Sequence, residues 1–237
     1  MKKINLIGYG NWGKKIYPIL KNIKNTKINV IKKKDGILNK SSLDMILTNN
    51  ETHFELVKRS LLKKNNVFCE KPLTTSKLQA LKLYKLSSKY KKNIYVCDIE
   101  NFKKNKIKIK KINNITRTKH SLIKDNILWR LAYHDLSYLY KYIQTKKLTN
   151  IQITNNKIGK ICFVLIFEDI KFNFYYNLNS RINKHTFNGI NLISSRDYYK
   201  GMISGVLLKK VNFYENKKIS LFCIKIINNI LKIGKID

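Results

Sequence analysis

Six residues near the start of the chain, Gly8-Tyr9-Gly10-Asn11-Trp12-Gly13, have the types and spacing to cradle a diphosphate. In such a turn the first glycine permits a tight reversal. The second lets backbone N–H groups approach a pyrophosphate, and the third lets the next helix pack against its sheet. The helix N-terminus adds partial positive charge at the phosphates. The motif has this meaning only between a strand and a helix; otherwise it is a packing turn. Residues 3–8 predict the strand, and Trp12, Ile16, Ile19 and Ile23 then recur at helical spacing. A second strand is expected over 27–31. About 20 residues past the turn, NAD-binding proteins place an acid on the ribose 2′-hydroxyl. Here Lys32, Lys33 and Lys34 stand there, with Asp35 behind them. Cations suit a 2′-phosphate, so the sequence leans to NADP over NAD, although Asp35 could still reach a ribose.

Other chemistry is sparse. Cys69, Cys97, Cys162 and Cys223 are far apart and form no C-x-x-C pair, which speaks against a zinc knuckle or a dithiol redox motif. Each lies among apolar neighbours and is expected to be a buried free thiol in a reducing compartment. No metal site is expected. Met1-Lys2-Lys3 runs straight into the first strand, and no apolar run approaches a membrane span. The expected location is the cytoplasm, with no membrane partner.

The elements that must position the glycine turn alternate through residue 97. A strand is expected at 44–48. Thr52-x-x-Glu55 reads as a capping box opening a helix with Phe54, Val57, Leu61 and Leu62 on its apolar face. Residues 66–69 form a strand ending in Glu70-Lys71-Pro72. Thr74, Thr75 or Ser76 can cap a helix carrying Leu78, Leu81 and Leu86, and 93–97 is a further strand. Such alternation implies a doubly wound parallel sheet. Beyond residue 98 the rhythm changes. The Lys-Ile alternation over 103–112 has a period of two and predicts a strand with one solvated face. A helix is expected over 126–143, strands at 148–155, 158–168, 170–179 and 185–194, and a last helix at 217–232. The expected organisation is a Rossmann domain over 1–97 and a second α/β domain over 98–237, its sheet open-faced and largely antiparallel.

The formal net charge is +35, from 49 basic and 14 acidic side chains. That balance alone suggests a nucleic-acid binder. Only five of the basic residues are Arg, however, the side chain favoured for planar phosphate and base contacts. The chain holds 44 Lys, 35 Ile and 29 Asn, all encoded by A/T-rich codons, which points to mutational bias at surface positions. Salt-sensitive polyanion binding is expected as a side effect, and no specific nucleic-acid partner. With 43% hydrophobic residues, the chain has material for a core.

Two longer stretches carry a resemblance. Thr48-Asn49-Asn50-Glu51-Thr52-His53 leads through a helix into Val67-Phe68-Cys69-Glu70-Lys71-Pro72-Leu73, and Leu128-Trp129-Arg130-Leu131-Ala132-Tyr133-His134-Asp135-Leu136-Ser137 follows. With the glycine turn, these resemble the glucose–fructose oxidoreductase/inositol dehydrogenase (Gfo/Idh/MocA) family, in the family's order over residues 1–140. The resemblance implies hydride transfer between a nicotinamide and a carbinol carbon of a sugar, cyclitol or sugar nucleotide. It also implies a homo-oligomer built through the second sheet. Cofactor contacts are implied at Gly8, Gly10, Asn11, Trp12, Gly13, Lys32, Thr48, Asn49, Glu70, Lys71 and Pro72. His53 is either a further contact or part of the helix entry. Lys71 and His134 match catalytic positions: a His suits taking a hydroxyl proton, and a Lys can stabilise the charge developing on that oxygen. The family's carboxylate four residues before the His is Arg130 here, and its usual Pro is Tyr133. Both are candidate substrate contacts. Either catalysis runs on Lys71 and His134 alone, or Arg130 holds an anionic substrate group, or the chain is a catalytically impaired descendant that binds dinucleotide as a partner or sensor.

Overall fold

The structure is a computed structural model and describes residues 1–32, 38–102, 107–121, 126–193 and 198–235. In chain order its strands are β1 (Lys2–Ile7), β2 (Thr26–Ile31), β3 (Leu43–Ile46), β4 (Asn66–Cys69), β5 (Ile94–Val96), β6 (Ile112–His120), β7 (Leu148–Lys157), β8 (Lys160–Phe167), β9 (Ile170–Asn177), β10 (Asn179–Phe187) and β11 (Ile190–Asn191). The helices are α1 (Asn11–Lys21), α2 (Asn50–Leu62), α3 (Lys77–Tyr90), α4 (Tyr133–Ile143), α5 (Tyr199–Leu207) and α6 (Phe213–Gly234). The chain divides into two compact units, residues 1–102 with 198–224, and 103–197 with 225–237. Residues 198–224, placed in the second domain by the sequence reading, thus group with the first.

The first unit is a parallel sheet of order β2-β1-β3-β4-β5 with helices on both faces, the doubly wound arrangement predicted. One face presents Ile4, Leu6, Met45, Phe68 and Tyr95 to Ile16 and Leu20 of α1 and to Met202, Ile203 and Val206 of α5. That packing draws 198–224 into this unit. The sequence reading had no helix there, because α5 is short. The expected capping box is also absent. α2 starts at Asn50 with Asn49 as its N-cap, and Thr52 lies inside the helix, its hydroxyl donating to the Asn49 carbonyl at 2.8 Å. Ser76 does cap α3, accepting from the Gln79 N–H.

The second unit holds a mixed sheet of order β11-β10-β6-β9-β8-β7, antiparallel at every pairing except β6 with β9. The expected strand over 103–112 is displaced. Residues 103–106 lie outside the described residues, 107–110 form no strand, and β6 begins at Ile112. The expected strand at 185–194 is in fact β10, which starts at Asn179, followed by the short β11. Ile115, Phe163 and Phe174 share one row of the sheet and point inward with Phe172 and Tyr176, and the Phe163 and Phe174 rings stack at 4.5 Å. Cys162, Val164, Ile166, Lys171, Asn173 and Tyr175 point the other way. There Asn173 donates to the Asn114 side chain at 2.9 Å. The strong aromatic stripe therefore belongs to the unit's own core, and the outer face is mixed polar and apolar. Cys69, Cys97 and Cys223 are buried, whereas Cys162, expected to be buried as well, is half-exposed on this outer face.

Candidate active site

In the first unit the predicted cofactor residues converge on one edge. Gly8–Gly13, Lys32, Thr48–Asn49 and Glu70-Lys71-Pro72 follow the C-terminal ends of β1, β2, β3 and β4, four adjoining strands. The chain leaves β1 toward β2 on one side and reaches β3 on the other. The glycine turn therefore sits at the switch point where open α/β sheets bind ligands. Gly8 has φ +93°, and a Cβ there would meet the Leu47 carbonyl oxygen at 2.8 Å. A Cβ on Gly13 would lie 2.2 Å from the Gly8 carbonyl oxygen, so close helix–strand packing demands glycine. A Cβ on Gly10 would meet nothing within 4 Å, which leaves open space beside the first turn of α1. Gly10 is the N-cap of α1, and no side chain caps that end. These are the properties a pyrophosphate seat needs, so the residues present fit a dinucleotide.

Neighbouring side chains shape the seat. Trp12 is exposed and tilts against Tyr199 at 5.3 Å, with the Lys15 ammonium over both rings. The Lys32 ammonium lies 5.9 Å from the centre of the Tyr9 ring, inside the turn. Lys33, Lys34 and Asp35 lie outside the described residues. Glu70 accepts a hydrogen bond from the Lys71 N–H at 2.8 Å, and the Lys71–Pro72 peptide is cis. Cys97, next in space, is kept a neutral thiol by burial and by the Glu70 carboxylate.

His53 stands in the first turn of α2. It is fully buried, with Nδ1 2.7 Å from the Pro72 carbonyl and Nε2 3.1 Å from the Thr48 carbonyl. Burial holds its pKa below the ordinary value against the opposing pull of those two carbonyls. A neutral ring donating from Nδ1 fits the shorter contact. The ring is enclosed between the loop after β3 and the loop after β4 and donates to the Pro72 carbonyl of the latter.

In the second unit, Leu128–Ala132 forms a π-turn leading into α4, with the Tyr133 N–H donating to the Leu128 carbonyl five residues back. The sequence reading had a plain α-helix here. Widened turns of this kind are frequent at functional sites. From Leu128 to Tyr140 every residue is buried except Arg130 and His134, which are half-exposed. Their four-residue spacing keeps them on one side of the helix, as predicted. Tyr133, read from the sequence as a candidate substrate contact, is 2% exposed and packed in the core.

Beneath this helix lies a group the sequence reading did not find. The Asp135 carboxylate accepts from His185 Nε2 at 2.7 Å and Arg117 Nη1 at 3.2 Å on one oxygen, and from the Tyr176 hydroxyl at 2.8 Å on the other. Its partners come from strands 18, 41 and 50 residues away, and no local pattern could have joined them. Burial pushes the Asp135 pKa up, but the charges of His185 and Arg117 outweigh it and hold the carboxyl below the ordinary range. A carboxyl whose folded pKa is depressed stabilises the fold above the ordinary carboxylate range and loses that contribution as pH falls through the folded value. We expect Asp135→Asn to cost about 3–4 kcal/mol at neutral pH, the scale for breaking a buried ion pair. The gap from wild type should narrow in acid, as urea melts at pH 7 and pH 3 would measure.

A cavity of about 230 Å³ in the first unit, walled mainly by Phe68, Phe102, Met202 and Val206, contains none of these site residues.

The architecture defines a class: a Rossmann dinucleotide-binding unit joined to an α/β unit with a mostly antiparallel sheet, as in nicotinamide-dependent oxidoreductases. Residues 18–97 match the family model "Oxidoreductase family, NAD-binding Rossmann fold" (GFO_IDH_MocA). Over that segment, about a third of the chain, the sequence is similar to the Gfo/Idh/MocA family of oxidoreductases. The glycine turn precedes the matched segment, so its reading rests on the geometry above. Solved structures share the fold over nearly the whole chain. The UDP-N-acetylglucosamine 3-dehydrogenase GnnA of Acidithiobacillus ferrooxidans superposes with a TM-score of 0.78 at 11% identity, covering 97% of this chain and 96% of its own. A Gfo/Idh/MocA family oxidoreductase of Vibrio cholerae gives 0.74 at 13%, covering 99% and 100%. The WlbA dehydrogenase of Thermus thermophilus, solved with NAD and UDP-GlcNAcA, gives 0.72 at 12%, covering 94% of each chain. No curated protein matches the sequence. Among the described residues, no helix is long and apolar enough to cross a membrane.

Proposed function

We propose that the protein is an NAD(P)-dependent oxidoreductase that moves a hydride between the nicotinamide and a carbinol or carbonyl carbon of a sugar, cyclitol or sugar nucleotide. Two observations support this reading: an open pyrophosphate seat at Gly10 in the first unit, and, in the second, a stretch from Leu128 to Tyr140 that is buried except at Arg130 and His134. A bound nicotinamide supplies the hydride acceptor. As the carbinol C–H bond gives up its electron pair, the hydroxyl proton passes to the His134 imidazole. The Lys71 ammonium hydrogen-bonds the same oxygen and stabilises its charge. Asn11 and Trp12 offer backbone N–H groups to the diphosphate, and Thr48, Asn49, Glu70 and Pro72 line the same strand edge.

Arg130 supports a substrate with a carboxylate or phosphate, since guanidinium groups bind both in bidentate fashion. The nucleotide sugars named for two of the structural neighbours carry such groups. Following nicotinamide absorbance across neutral and anionic carbohydrates tests this. Turnover should be confined to anionic substrates, and Arg130→Ala should mainly raise KM. Arg130 also sustains a second reading, that of a dinucleotide-binding descendant without turnover. A wild type that binds NAD(H) yet reduces nothing in the screen would favour that reading.

The cofactor lean is toward NADP. Lys32, which follows β2 and lies near Tyr9, supports this lean as a cation that suits a 2′-phosphate. Lys32→Asp should then weaken NADPH binding by about tenfold or more, the loss of one charge-assisted contact, with NADH nearly unaffected. Equal losses by calorimetry would remove Lys32 from that role. Assembly through the outer face of the second sheet is the remaining element of the reading, and sedimentation showing only monomer at micromolar concentration would exclude it.

A further inference from the structure

We propose that Asp135 is the positioning residue for His134, acting with Arg117, Tyr176 and His185 to fix the rotation of α4. This rests on the reading of His134 as the proton acceptor. The three donors are not scattered. In the sheet register Arg117 of β6 pairs with Tyr176 of β9 on one side and with His185 of β10 on the other. They form one cross-strand row of side chains, and the row converges on a single carboxylate. Asp135 is 4% exposed, His185 5% and Tyr176 0%.

The consequence for the neighbouring residue is geometric. Successive residues on a helix point about 100° apart, so a side chain clamped to three strands sets the azimuth of the one before it. Arg117 adds a second restraint. Its Nη1 lies 3.5 Å from the Leu131 carbonyl, inside the π-turn that carries Arg130. The same guanidinium thus touches the backbone between Arg130 and His134 and the carboxylate just after His134. One turn before His134 stands Arg130, so no carboxylate at that position can orient the imidazole. The clamp on α4 supplies orientation through the helix.

The choice of residues fits this role better than simple stability. Replacing a buried ion cluster by apolar groups of similar volume is often neutral or stabilising, so such a cluster is a poor stabiliser for its cost. What it can enforce is one azimuth of α4, because three donors on three strands satisfy Asp135 in only one rotation.

The test uses Tyr176→Phe, His185→Leu, His185→Gln and Asp135→Leu in the full chain. Two readouts are followed: the His134 ring resonances through a pH titration, and kcat against KM for the best substrate of the screen. Positioning predicts that His185→Leu and Asp135→Leu move the His134 titration. They should also lower kcat by about 10–100-fold, the scale for a small displacement of a reacting group, with dinucleotide KM unchanged. His185→Gln, which keeps a donor toward the carboxylate, should recover most of the loss. Variants that melt at lower temperature yet leave the His134 titration and kcat at wild-type values would overturn the proposal. If Asp135→Leu does not fold, Tyr176→Phe removes a single hydroxyl and decides on the same two readouts. The ring titration needs no substrate. A wild type without turnover would therefore count against the proposed reaction, while a His134 titration moved by the variants would still support positioning.

Discussion

Gly10→Val should fold like the wild type and give no heat with NAD(H) or NADP(H), whereas Gly13→Ala should lose the fold's stability first. The two glycines are three residues apart in one turn, yet their surroundings differ. Around Gly10 there is room for a side chain, and the valine would occupy the space a diphosphate needs. Its cost to the fold is that of replacing an N-cap glycine, about 1 kcal/mol. At Gly13 the added carbon would overlap the backbone of Gly8, and backbone cannot swing aside as a flexible side chain can. The α1–β1 contact must open, at about 3 kcal/mol or more. Thermal melts with calorimetry on both variants separate the roles. Undiminished dinucleotide affinity in Gly10→Val would sink the assignment of the turn.

Lys71→Ala and His134→Ala should each slow turnover by about 10²–10⁴-fold, the range for a positioned acid–base or charge-stabilising group. The two should differ in what else they change. Lys71 follows β4 on the strand edge that carries the glycine turn, so its loss should also weaken dinucleotide binding. His134 belongs to the second unit and should leave cofactor affinity alone. If His134 takes the proton and Lys71 stabilises the charge on the same oxygen, as proposed, the double variant should be little worse than the poorer single one. Robust turnover indifferent to both substitutions would move the site elsewhere.

The Rossmann unit was legible because its signals are local. Each strand from β1 to β5 contains a short apolar run, and the glycine spacing takes its steric meaning from lying between a strand and a helix. Legibility failed where a local pattern had two solutions. Thr52-x-x-Glu55 has the spacing of a capping box, but Asn49 offers an N-cap one turn earlier and the helix starts there. The Lys-Ile alternation resembles a strand, yet the ladder forms only from Ile112, where β9 provides partners. The π-turn has no sequence signature at all. His134 could be singled out only by resemblance, and what surrounds Asp135 could not be found in that way either. A buried cluster drawn from one helix and three strands is a property of the closed sheet.

The two faces of that sheet have a consequence for how little vocabulary a fold requires. Inward, the rows are written with Ile, Phe and Tyr; outward, with Asn, Lys and Thr among a few apolar residues. A/T-rich coding supplies both sets equally well, so drift in base composition can proceed without confusing inside with outside. Alternation along each strand carries the instruction, and the particular letters are largely interchangeable. Some 11–13% identity to structures of the same topology is what remains when only that grammar is kept.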